Sequence, residues 1–425
     1  MPQRIAIIGG GIAGLTAAHF LSRSHDVTLF EKTERIGGNA YTYTTHDGYE
    51  VDLAVAAFGR AGYPNFYRLI DELGVRSQRS PGAFASLRDL DTGKGLYVTP
   101  WSLKGLMAQR FEFFHPKHLA SFAGLYIGVR RLMGLLEEGK LRGVTLARAI
   151  DQVPMIWGDG RRMLLAVLCL MSSMSGAEVL EGPAEFFMSK LRTHNDVLSP
   201  RAPYSVRCMA RQTASYVNAL ARGFRDKIVL RADLRRVLRD EGEVTIIDGA
   251  GERRPFDQVV FACHPDQALA LLDAPMAEER ELLGAWRYKA GRIVLHRDQS
   301  AFPTRELTQA FTFLYRESAG GFETSVSGAL WRLPGVANDC PYLCTQHANF
   351  PIDDRLVEFE TVLRTPIFDF ASFETRKRLP ELNGRKRTYY CGSYFGHGLH
   401  EDAVKSAIDV ATMLGAGWIP KGAHS

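Results

Sequence analysis

The chain has 425 residues, of which 46% are hydrophobic and 23% are charged, and it carries a formal net charge of +5. This length exceeds what one compact core usually holds and predicts two domains, while the composition is ordinary for a globular protein. The charge is mild and the sequence has no lysine-rich arm, so nucleic acid is not expected as a partner.

The first elements form a dinucleotide-binding pattern. Arg4–Ile8 is typical of a buried parallel strand, and Gly9, Gly11 and Gly14 then supply the G-x-G-x-x-G spacing before an Ala/Leu-rich helix. The first glycine permits a tight turn, the second lets the backbone approach a pyrophosphate, and the third lets the helix pack on the strand. The pattern therefore predicts a bound nucleotide.

The helix start and the next strand supply further contacts for a nucleotide. The first N–H groups of the helix, at Ile12 and Ala13, point toward the phosphates together with the positive end of the helix dipole. A second predicted strand, Asp26–Phe30, leads to Glu31. An acid at the carboxyl end of this strand can accept hydrogen bonds from an adenosine ribose.

An R-x-G-G element directly follows the acid. Arg35 can pair with phosphate oxygens, and Gly37 and Gly38 allow close approach of the backbone. The whole element, E-x-x-x-R-x-G-G, resembles the second half of the signature shared by FAD-dependent amine oxidases and phytoene-desaturase-like flavoproteins. The resemblance implies FAD as the cofactor, with this element against its diphosphate and ribityl chain, and Lys32 and Asn39 are predicted to contribute as well.

Two later segments match the same cofactor. Short strands are predicted at 227–230, 235–239 and 243–248, and a further strand in the segment 256–269. In this superfamily such a hairpin meets the adenine, which implies a backbone contact near Val237. The last segment, 385–415, predicts a strand at 388–391, a glycine turn and a helix starting near Gly398. The resemblance implies flavin contacts from this segment at Gly392, Ser393, Glu401, Asp402 and Ala403.

The predicted fold class is α/β. A Rossmann-like FAD-binding domain of the amine-oxidase type is expected from 1–70, 210–265 and 386–425, and an interleaved α+β substrate domain from 71–209 and 266–385. The first part of the substrate domain has helical periodicity, including an apolar helix at 114–136. The second part has strand-like runs at 292–296 and 310–315 and a predicted helix around 354–363. Its many aromatic residues favour an apolar cavity, among them Trp101, Phe111, Phe113, Phe114, Phe122 and Tyr126.

A narrower resemblance is carried by segments 394–407, 259–272 and 288–298. They are similar to bacterial flavoproteins described as predicted NAD/FAD-binding proteins, whose genes often lie near those of cyclopropane-fatty-acid synthases. This resemblance implies a setting in lipid modification and does not name a reaction.

The chain departs from the amine oxidases at positions that matter for chemistry. Those enzymes commonly carry a lysine where Arg292 stands here, with Lys289 three residues earlier, and arginine does not replace lysine in a proton relay. An aromatic residue beside the amine is replaced by Leu399. We therefore expect hydride transfer at the flavin on a hydrophobic, unsaturated or fatty-acyl substrate, by desaturation or double-bond isomerisation. The candidate catalytic residues are Tyr394, His397, His400 and Arg292.

Two other functions stay open. One is a true amine oxidase, and the other is a non-catalytic flavin-binding partner of a lipid-modifying methyltransferase. Near the site, Asp52 is predicted to hydrogen-bond backbone, Phe58 and Tyr63 to border the flavin, and Cys391 to be a buried strand residue.

Cysteine spacing and apolar runs give the remaining expectations. The six cysteines show no metal-ligand spacing, so no metal is expected, and no secretory leader precedes the first strand, so a cytoplasmic location with free thiols is expected. The longest apolar run, 163–171, is too short to span a membrane. The helix at 114–136 has basic margins, so either it lies in a membrane interface and admits a lipid, or it is buried.

Overall fold

The computed structural model describes residues 1–54, 58–79, 85–97, 107, 114–193, 206–240, 242–318 and 321–418. The α-helices of these residues, numbered α1 to α12, are Ile12–Leu21, Pro64–Glu72, Pro116–Glu137, Leu146–Asp151, Gly158–Ser172, Gly176–Glu181, Ala184–Thr193, Ala214–Ala221, Pro265–Leu271, Ala277–Gly284, Phe370–Thr375 and His400–Met413. The strands, numbered β1 to β20, are Arg4–Ile8, Asp26–Phe30, Thr42–Thr44, Glu50–Asp52, Phe58–Gly59, Ser77–Arg79, Ala85–Asp89, Gly95–Tyr97, Val206–Met209, Ile228–Val229, Leu234–Arg239, Val244–Asp248, Arg253–Phe256, Gln258–Phe261, Tyr288–His296, Phe311–Ser318, Gly321–Ala329, Leu343–Gln346, Val357–Pro366 and Thr388–Tyr390. Trp101, Phe111 and Phe113 lie outside the described residues.

A five-stranded parallel sheet carries the nucleotide-binding segments. Its strand order is β10-β2-β1-β14-β20, and every neighbouring pair is parallel. Both faces are covered, because Ile5 and Ile7 pack with α1 and α12 on one side while Ala6 and Ile8 belong to the core on the other. A strand buried on both faces needs apolar residues at every position, which explains the continuous apolar run of β1.

The second large sheet is mixed and has seven strands, in the order β19-β15-β18-β17-β16-β7-β8. Helices α3 to α7 pack against it through a core that includes Phe313, Phe322 and Val326. A small antiparallel sheet, β11-β12-β13, lies in chain order between β10 and β14, two strands of the parallel sheet.

The predicted helix around 354–363 is wrong. A short 3-10 turn occupies Asp354–Leu356, and the segment then continues as strand β19, which pairs antiparallel with β15 along its whole length. Phe359 and Leu363 pack against the core, while the side chain of Glu360 on the opposite face is 42% exposed. This alternation is the period of a strand, and cross-strand pairing with β15 stabilises it.

Helix α3 confirms the predicted apolar helix, and it is the one helix of the described residues that is long and apolar enough by length and composition to cross a membrane. It has 22 residues, and its apolar window has a hydropathy of 1.3 and is 39% buried inside the protein. On one side Gly128 lies against Ile156 and Leu132 is fully buried, while Tyr126 and Ile127 on the other side are 51% and 55% exposed. Core helices of globular proteins pass the same test, so the observation is weak evidence for a span.

A buried ion pair joins three elements that are distant in sequence. Arg239 of β11 and Glu279 of α10 have side chains only 3% and 0% exposed, with Nη2 and Oε2 2.9 Å apart. Tyr390 of β20 donates a hydrogen bond to Glu279 Oε1 at 2.6 Å. Burial opposes the charged form of Glu279, but the bonds from Arg239 and Tyr390 outweigh it and lower its pKa.

We predict that Glu279→Gln lowers the free energy of unfolding by about 3 kcal/mol, because it leaves a buried guanidinium without its counter-charge. Urea unfolding followed by circular dichroism measures the change. Since the folded-state pKa is lowered, the advantage of the wild type is present above the usual pKa of a glutamate and declines as the pH falls through the lowered value.

The control is Glu281→Gln, which removes an ion pair with Arg378 between side chains that are 54% and 44% exposed. This variant is expected to lose less than about 1 kcal/mol. Equal losses in the two variants would contradict the role assigned to the buried pair.

Candidate cofactor and substrate site

The first glycine loop is closely packed except at one point. Gly9 has φ +112°, its N–H donates to Phe30 O at 2.8 Å, and an added Cβ would lie 2.8 Å from the Ala262 backbone. A Cβ at Gly14 would overlap Gly9 O. A Cβ at Gly11, in contrast, would meet no atom within 4 Å. The space over Gly11 is therefore open to an approaching phosphate, as the motif predicts.

The second glycine loop lies directly on the first. Gly37 N–H donates to Gly10 O at 2.8 Å, and a Cβ at Gly38 would lie 3.1 Å from Gly11 Cα. Gly37 and Gly38 have φ of +107° and +60°, which side chains rarely adopt. We call the joined surface of residues 9–14, Glu31 and residues 35–39 the nucleotide cradle.

Glu31 is fixed within the nucleotide cradle. It is 8% exposed, its Oε2 accepts from Gly10 N at 2.7 Å, and its Oε1 accepts from Thr33 N at 2.8 Å and from Thr33 Oγ1 at 2.9 Å. A carboxylate oxygen can accept two hydrogen bonds, so Oε2 has capacity for one more donor. The arrangement thus holds an acceptor in place for a ribose hydroxyl.

The other predicted cradle residues differ in their surroundings. The Arg35 guanidinium lies 3.5 Å from the ring centroid of Tyr41, beside a cavity of about 340 Å³, and burial lowers its pKa. Lys32 is exposed. Asn39 Nδ2 donates to Arg364 O on β19 at 3.4 Å, so this side chain ties the cradle to the seven-stranded sheet.

Val237 and Asp52 are both engaged with protein atoms. Val237 is fully buried and its carbonyl accepts from Asp273 N at 3.2 Å, so its contact with adenine stays a prediction. Asp52 accepts from Thr213 N at 3.0 Å and from Thr42 Oγ1 at 2.6 Å, which confirms the predicted bond to backbone. Burial raises the pKa of Asp52 to about 6 despite these donors.

The C-terminal segment forms a compact turn before α12. Gly392 N–H donates to Ser406 Oγ at 3.0 Å, and a Cβ at Gly392 would overlap the Tyr394 ring. Ser393 O accepts from Gly398 N at 3.0 Å. We call residues 392–398 the glycine turn. Cys391, directly before it, is fully buried as predicted, and burial raises the pKa of its thiol.

The acids at the start of α12 cap helices. Asp402 Oδ2 accepts from His397 N at 2.8 Å and from Leu399 N at 2.9 Å, and burial raises its pKa to about 6. Glu401 Oε2 accepts a backbone N–H at the start of α2 at 2.9 Å, and Ala403 is buried. The side chains of both acids therefore bind backbone N–H groups of the protein. Contacts between the flavin and the backbone of Glu401 and Asp402 stay a prediction.

His400 lies in the core and not on the open side of the glycine turn. Its Nε2 is 2.9 Å from Tyr216 OH, and its ring is 5.5 Å from Phe58 and 5.7 Å from Phe66. Burial lowers the pKa of His400 to about 4, so the ring is neutral. These contacts give His400 a packing role, and its catalytic role stays a prediction. Phe58, and Tyr63 beside it, belong to the same core, being 1% and 4% exposed.

Arg292 is also placed away from the other candidates. Its Nε and Nη2 donate to Glu360 of β19 at 2.7 and 2.8 Å, and its side chain is 49% exposed. The hydrogen bond to Glu360 raises the pKa of Arg292. None of the contacts among the described residues joins it to the glycine turn, so the geometry gives no support to its predicted catalytic role.

Tyr394 and His397 both belong to the glycine turn, where each packs against other aromatic rings. Tyr394 is 1% exposed, its ring lies 5.6 Å from Trp286, and its hydroxyl has no hydrogen-bond partner among the described residues. The His397 ring lies 6.0 Å from Phe186. Burial raises the pKa of Tyr394 well above its usual value, so the hydroxyl stays protonated.

Sequence analysis missed a buried lysine beside this turn. Lys190 of α7 is 2% exposed, and its Nζ lies 5.4 and 5.2 Å from the ring centroids of Phe186 and Phe368. A Cβ at Gly398 would lie 3.7 Å from Nζ. The sequence held one signal, since Lys190 follows Phe186 by four residues and shares its helix face in an otherwise apolar run.

An amphipathic cavity of about 200 Å³ lies between α5, α6 and the seven-stranded sheet. Cys169, Phe313 and Phe322 are among its apolar walls, and Lys289 and His347 are at its polar end. Lys289 pairs with Glu178 of α6, and burial lowers the pKa of His347. Lys289 pairs across the sheet with Thr365, and the carbonyl of the preceding residue, Arg364, is bound by Asn39. The polar end of the cavity is therefore near the nucleotide cradle.

The residues present fit a bound dinucleotide. The backbone over Gly11 is open, the first N–H groups of α1 have no partner within the helix, and Glu31 offers a fixed acceptor. No group of three or more His, Cys, Asp or Glu side chains suited to a metal occurs among the described residues.

Comparison with known proteins gives the same class. Residues 7–73 match the NAD(P)-binding Rossmann-like domain family. The L-amino-acid oxidase of Pseudechis australis is 41% identical over 73 residues, which are 17% of this chain and 13% of that protein. The curated relatives of this kind are thus matched over only about an eighth of their length.

Solved structures match over almost the whole chain. A fatty acid isomerase from P. acnes that produces CLA superimposes with a TM-score of 0.71 at 17% identity, covering 97% of this chain and 98% of the other. Cyclohexylamine oxidase from Brevibacterium oxydans gives a TM-score of 0.66 at 15% identity, covering 98% and 100%.

These similarities confirm the predicted α/β fold class and the predicted resemblance. The chain has the architecture of the FAD-dependent amine-oxidase and desaturase-like flavoproteins, with a Rossmann-type nucleotide domain. FAD, the predicted cofactor, is the cofactor of that class.

We predict that Gly11→Ala folds as the wild type but binds FAD at least about tenfold more weakly, a loss of about 1.4 kcal/mol. The added methyl group meets no protein atom and enters the space that a phosphate needs. Quenching of flavin fluorescence during titration of the apoprotein measures the affinity, and urea unfolding measures stability.

The matched variant is Gly14→Ala, in which the methyl group overlaps Gly9 O. Here both stability and affinity should fall, the former by about 1 to 3 kcal/mol. Unchanged FAD binding by Gly11→Ala would show that the phosphates do not approach at this point.

Proposed function

We propose that the chain is an FAD-dependent oxidoreductase that acts by hydride transfer on a hydrophobic, unsaturated or fatty-acyl substrate, giving desaturation or double-bond isomerisation. The observation that carries the proposal is the amphipathic cavity, whose lining is apolar at Leu170, Phe313 and Phe322 and polar at residues that include Lys289 and Glu323. Lys289 lies on β15, which is joined through β19 to the nucleotide cradle. Such a cavity suits a chain with one polar group better than a small hydrophilic molecule.

Each part of the site has a role in this proposal. The cradle residues Gly11, Glu31 and Gly38 bind the dinucleotide, and FAD when bound supplies the acceptor for a hydride from the substrate. The apolar walls at Phe313 and Phe322 exclude water and hold the acyl chain. Lys289 at the polar end orients the head of the chain, in exchange for part of its pairing with Glu178.

The comparisons support the proposal at the level of the fold. The match to a fatty acid isomerase covers nearly the whole of both chains, and similarity at 17% identity leaves the substrate open.

Amine oxidation is the second candidate, favoured by the stacked pair Phe186 and Phe368, whose ring centroids are 4.1 Å apart beside the glycine turn. We predict that linoleic acid bleaches the visible absorbance of the FAD-loaded protein under anaerobic conditions in single-turnover experiments, while putrescine and cyclohexylamine do not. If the substrate is only isomerised, the bleaching is transient and the product is a conjugated diene that absorbs in the ultraviolet.

The controls of this experiment separate the alternatives. Loss of the visible flavin absorbance with an amine but not with linoleic acid would identify an amine oxidase and contradict the proposal. Neither bleaching nor product with any of these compounds, together with copurification of a methyltransferase, would favour a non-catalytic partner protein.

We predict that Leu170→Trp abolishes binding of linoleic acid, since the indole fills much of the 200 Å³ cavity that Leu170 lines. FAD binding should not change, because the residue lies outside the nucleotide cradle. Tight binding of the fatty acid by this variant would place the substrate elsewhere. Leu119→Trp is the matched control, on an α3 position that is 41% exposed, and it should bind the fatty acid normally.

A further inference from the structure

Lys190 is a buried amine that forms no ion pair within 4.0 Å among the described residues. Its residue is 2% exposed, and among the described residues no carboxylate lies within 4.0 Å of Nζ and no hydrogen bond reaches it. Instead, the rings of Phe186 and Phe368 flank Nζ at 5.4 and 5.2 Å. Burying an unpaired ammonium is costly, so a lysine in such a place is more often functional than structural.

The position of Nζ connects it to the glycine turn. Gly398 has φ +79°, and a Cβ there would press on the Phe368 ring at 2.8 Å and lie 3.7 Å from Nζ. The absence of a side chain at this residue therefore leaves the amine close to the turn. The same turn carries His397 and Tyr394, two of the predicted catalytic residues.

The charged groups around Lys190 come from several elements. Asp402 of α12 is the carboxylate that acts on it electrostatically, and the guanidinium of Arg376, after α11, donates to Gly396 O at 3.3 Å and acts on Asp402. His397 lies on the turn, and Glu185 of α7 acts on Arg376. Burial lowers the pKa of Lys190 to about 7 against the opposing effect of Asp402.

We propose that Lys190, which lies beside the glycine turn and not in the lining of the amphipathic cavity, is a catalytic residue, whose neutral Nζ accepts a proton from the part of the substrate that extends from the cavity to the turn. The proposal rests on the proposed function. It assigns the base to Lys190 and not to Arg292 of β15, which is already paired with Glu360.

The proton balance of a dehydrogenation requires such a base. One substrate carbon loses a hydride to the flavin, which is the two-electron oxidant, and the neighbouring carbon loses a proton. The electron pair of that second C–H bond becomes the new double bond, and the lone pair of Nζ forms the new N–H bond. A positively charged guanidinium or ammonium has no lone pair for this step, so the neutral amine is the active form.

The first test does not depend on turnover. The visible spectrum of the FAD-loaded protein is recorded against pH for the wild type, Lys190→Met and Lys405→Met, the last being an exposed lysine paired with Asp409. We expect a spectral step near pH 7 in the wild type and Lys405→Met and no such step in Lys190→Met. Identical titrations in all three proteins would overturn the proposal.

The second test uses stability and checks that Lys190 has no structural purpose. The folded protein binds fewer protons at Lys190 than the unfolded chain between its lowered pKa and that of a free lysine, so wild-type stability should rise with pH across that window. We expect the urea midpoint of Lys190→Met to exceed that of the wild type at about pH 6 and the difference to shrink by about pH 9. A lower midpoint for Lys190→Met at all pH values would show a structural lysine.

The third test measures anaerobic flavin reduction by linoleic acid. Lys190→Met should be slower by about 10²- to 10⁴-fold at pH 8, and the wild-type rate should rise through pH 7 and then level off. Lys190→Arg should be as slow as Lys190→Met. If linoleic acid reduces all variants equally, the proposal about Lys190 fails while the proposed function stands. If linoleic acid reduces none and an amine reduces the wild type, the proposed function fails, and the spectral step still decides whether Lys190 titrates beside the flavin.

Discussion

The contact between two glycine loops is the constraint on which the rest of the site depends. The Gly37 N–H donates to Gly10 O at 2.8 Å, and a Cβ at Gly38 would lie 3.1 Å from Gly11 Cα. The loops can meet this closely only where side chains are absent. Their contact leaves the backbone over Gly11 open and holds Glu31 against Gly10. A phosphate site thus results from backbone geometry more than from any charged side chain.

The cradle is connected to the substrate region by a few polar side chains. Asn39 reaches the carbonyl of Arg364 on β19, and Asp52 binds the start of α8 through Thr213. At the other end of the site, Asp402 and Glu401 cap the starts of α12 and α2. Helix starts leave N–H groups without partners, so buried carboxylates that accept from them stabilise the junction and fix the distance between its parts.

Two basic side chains of the molecule, Arg292 and Lys190, differ in burial and in pairing. The arginine of β15 is paired with Glu360 and half exposed, whereas a lysine on the helical side is buried among aromatic rings. A buried amine loses its proton more easily than an exposed one, because the low dielectric disfavours the charged form. The fold thus places a buried amine on α7, beside the glycine turn.

The sequence by itself determined the elements whose signals are local. The bounds of β1 and β2, the role of Gly9, Gly11 and Gly14, and the superfamily resemblance all follow from short motifs, because a turn that needs glycine and a strand buried on both faces leave direct marks in the chain. Tertiary structure decided the rest. The segment 357–366 became a strand because β15 pairs with it, His400 packs against residues more than 180 positions away, and Lys190 meets Gly398 across two elements. Such contacts join residues that are distant in the chain, so no local pattern records them, and the surroundings that set the charge of each side chain exist only in the folded protein.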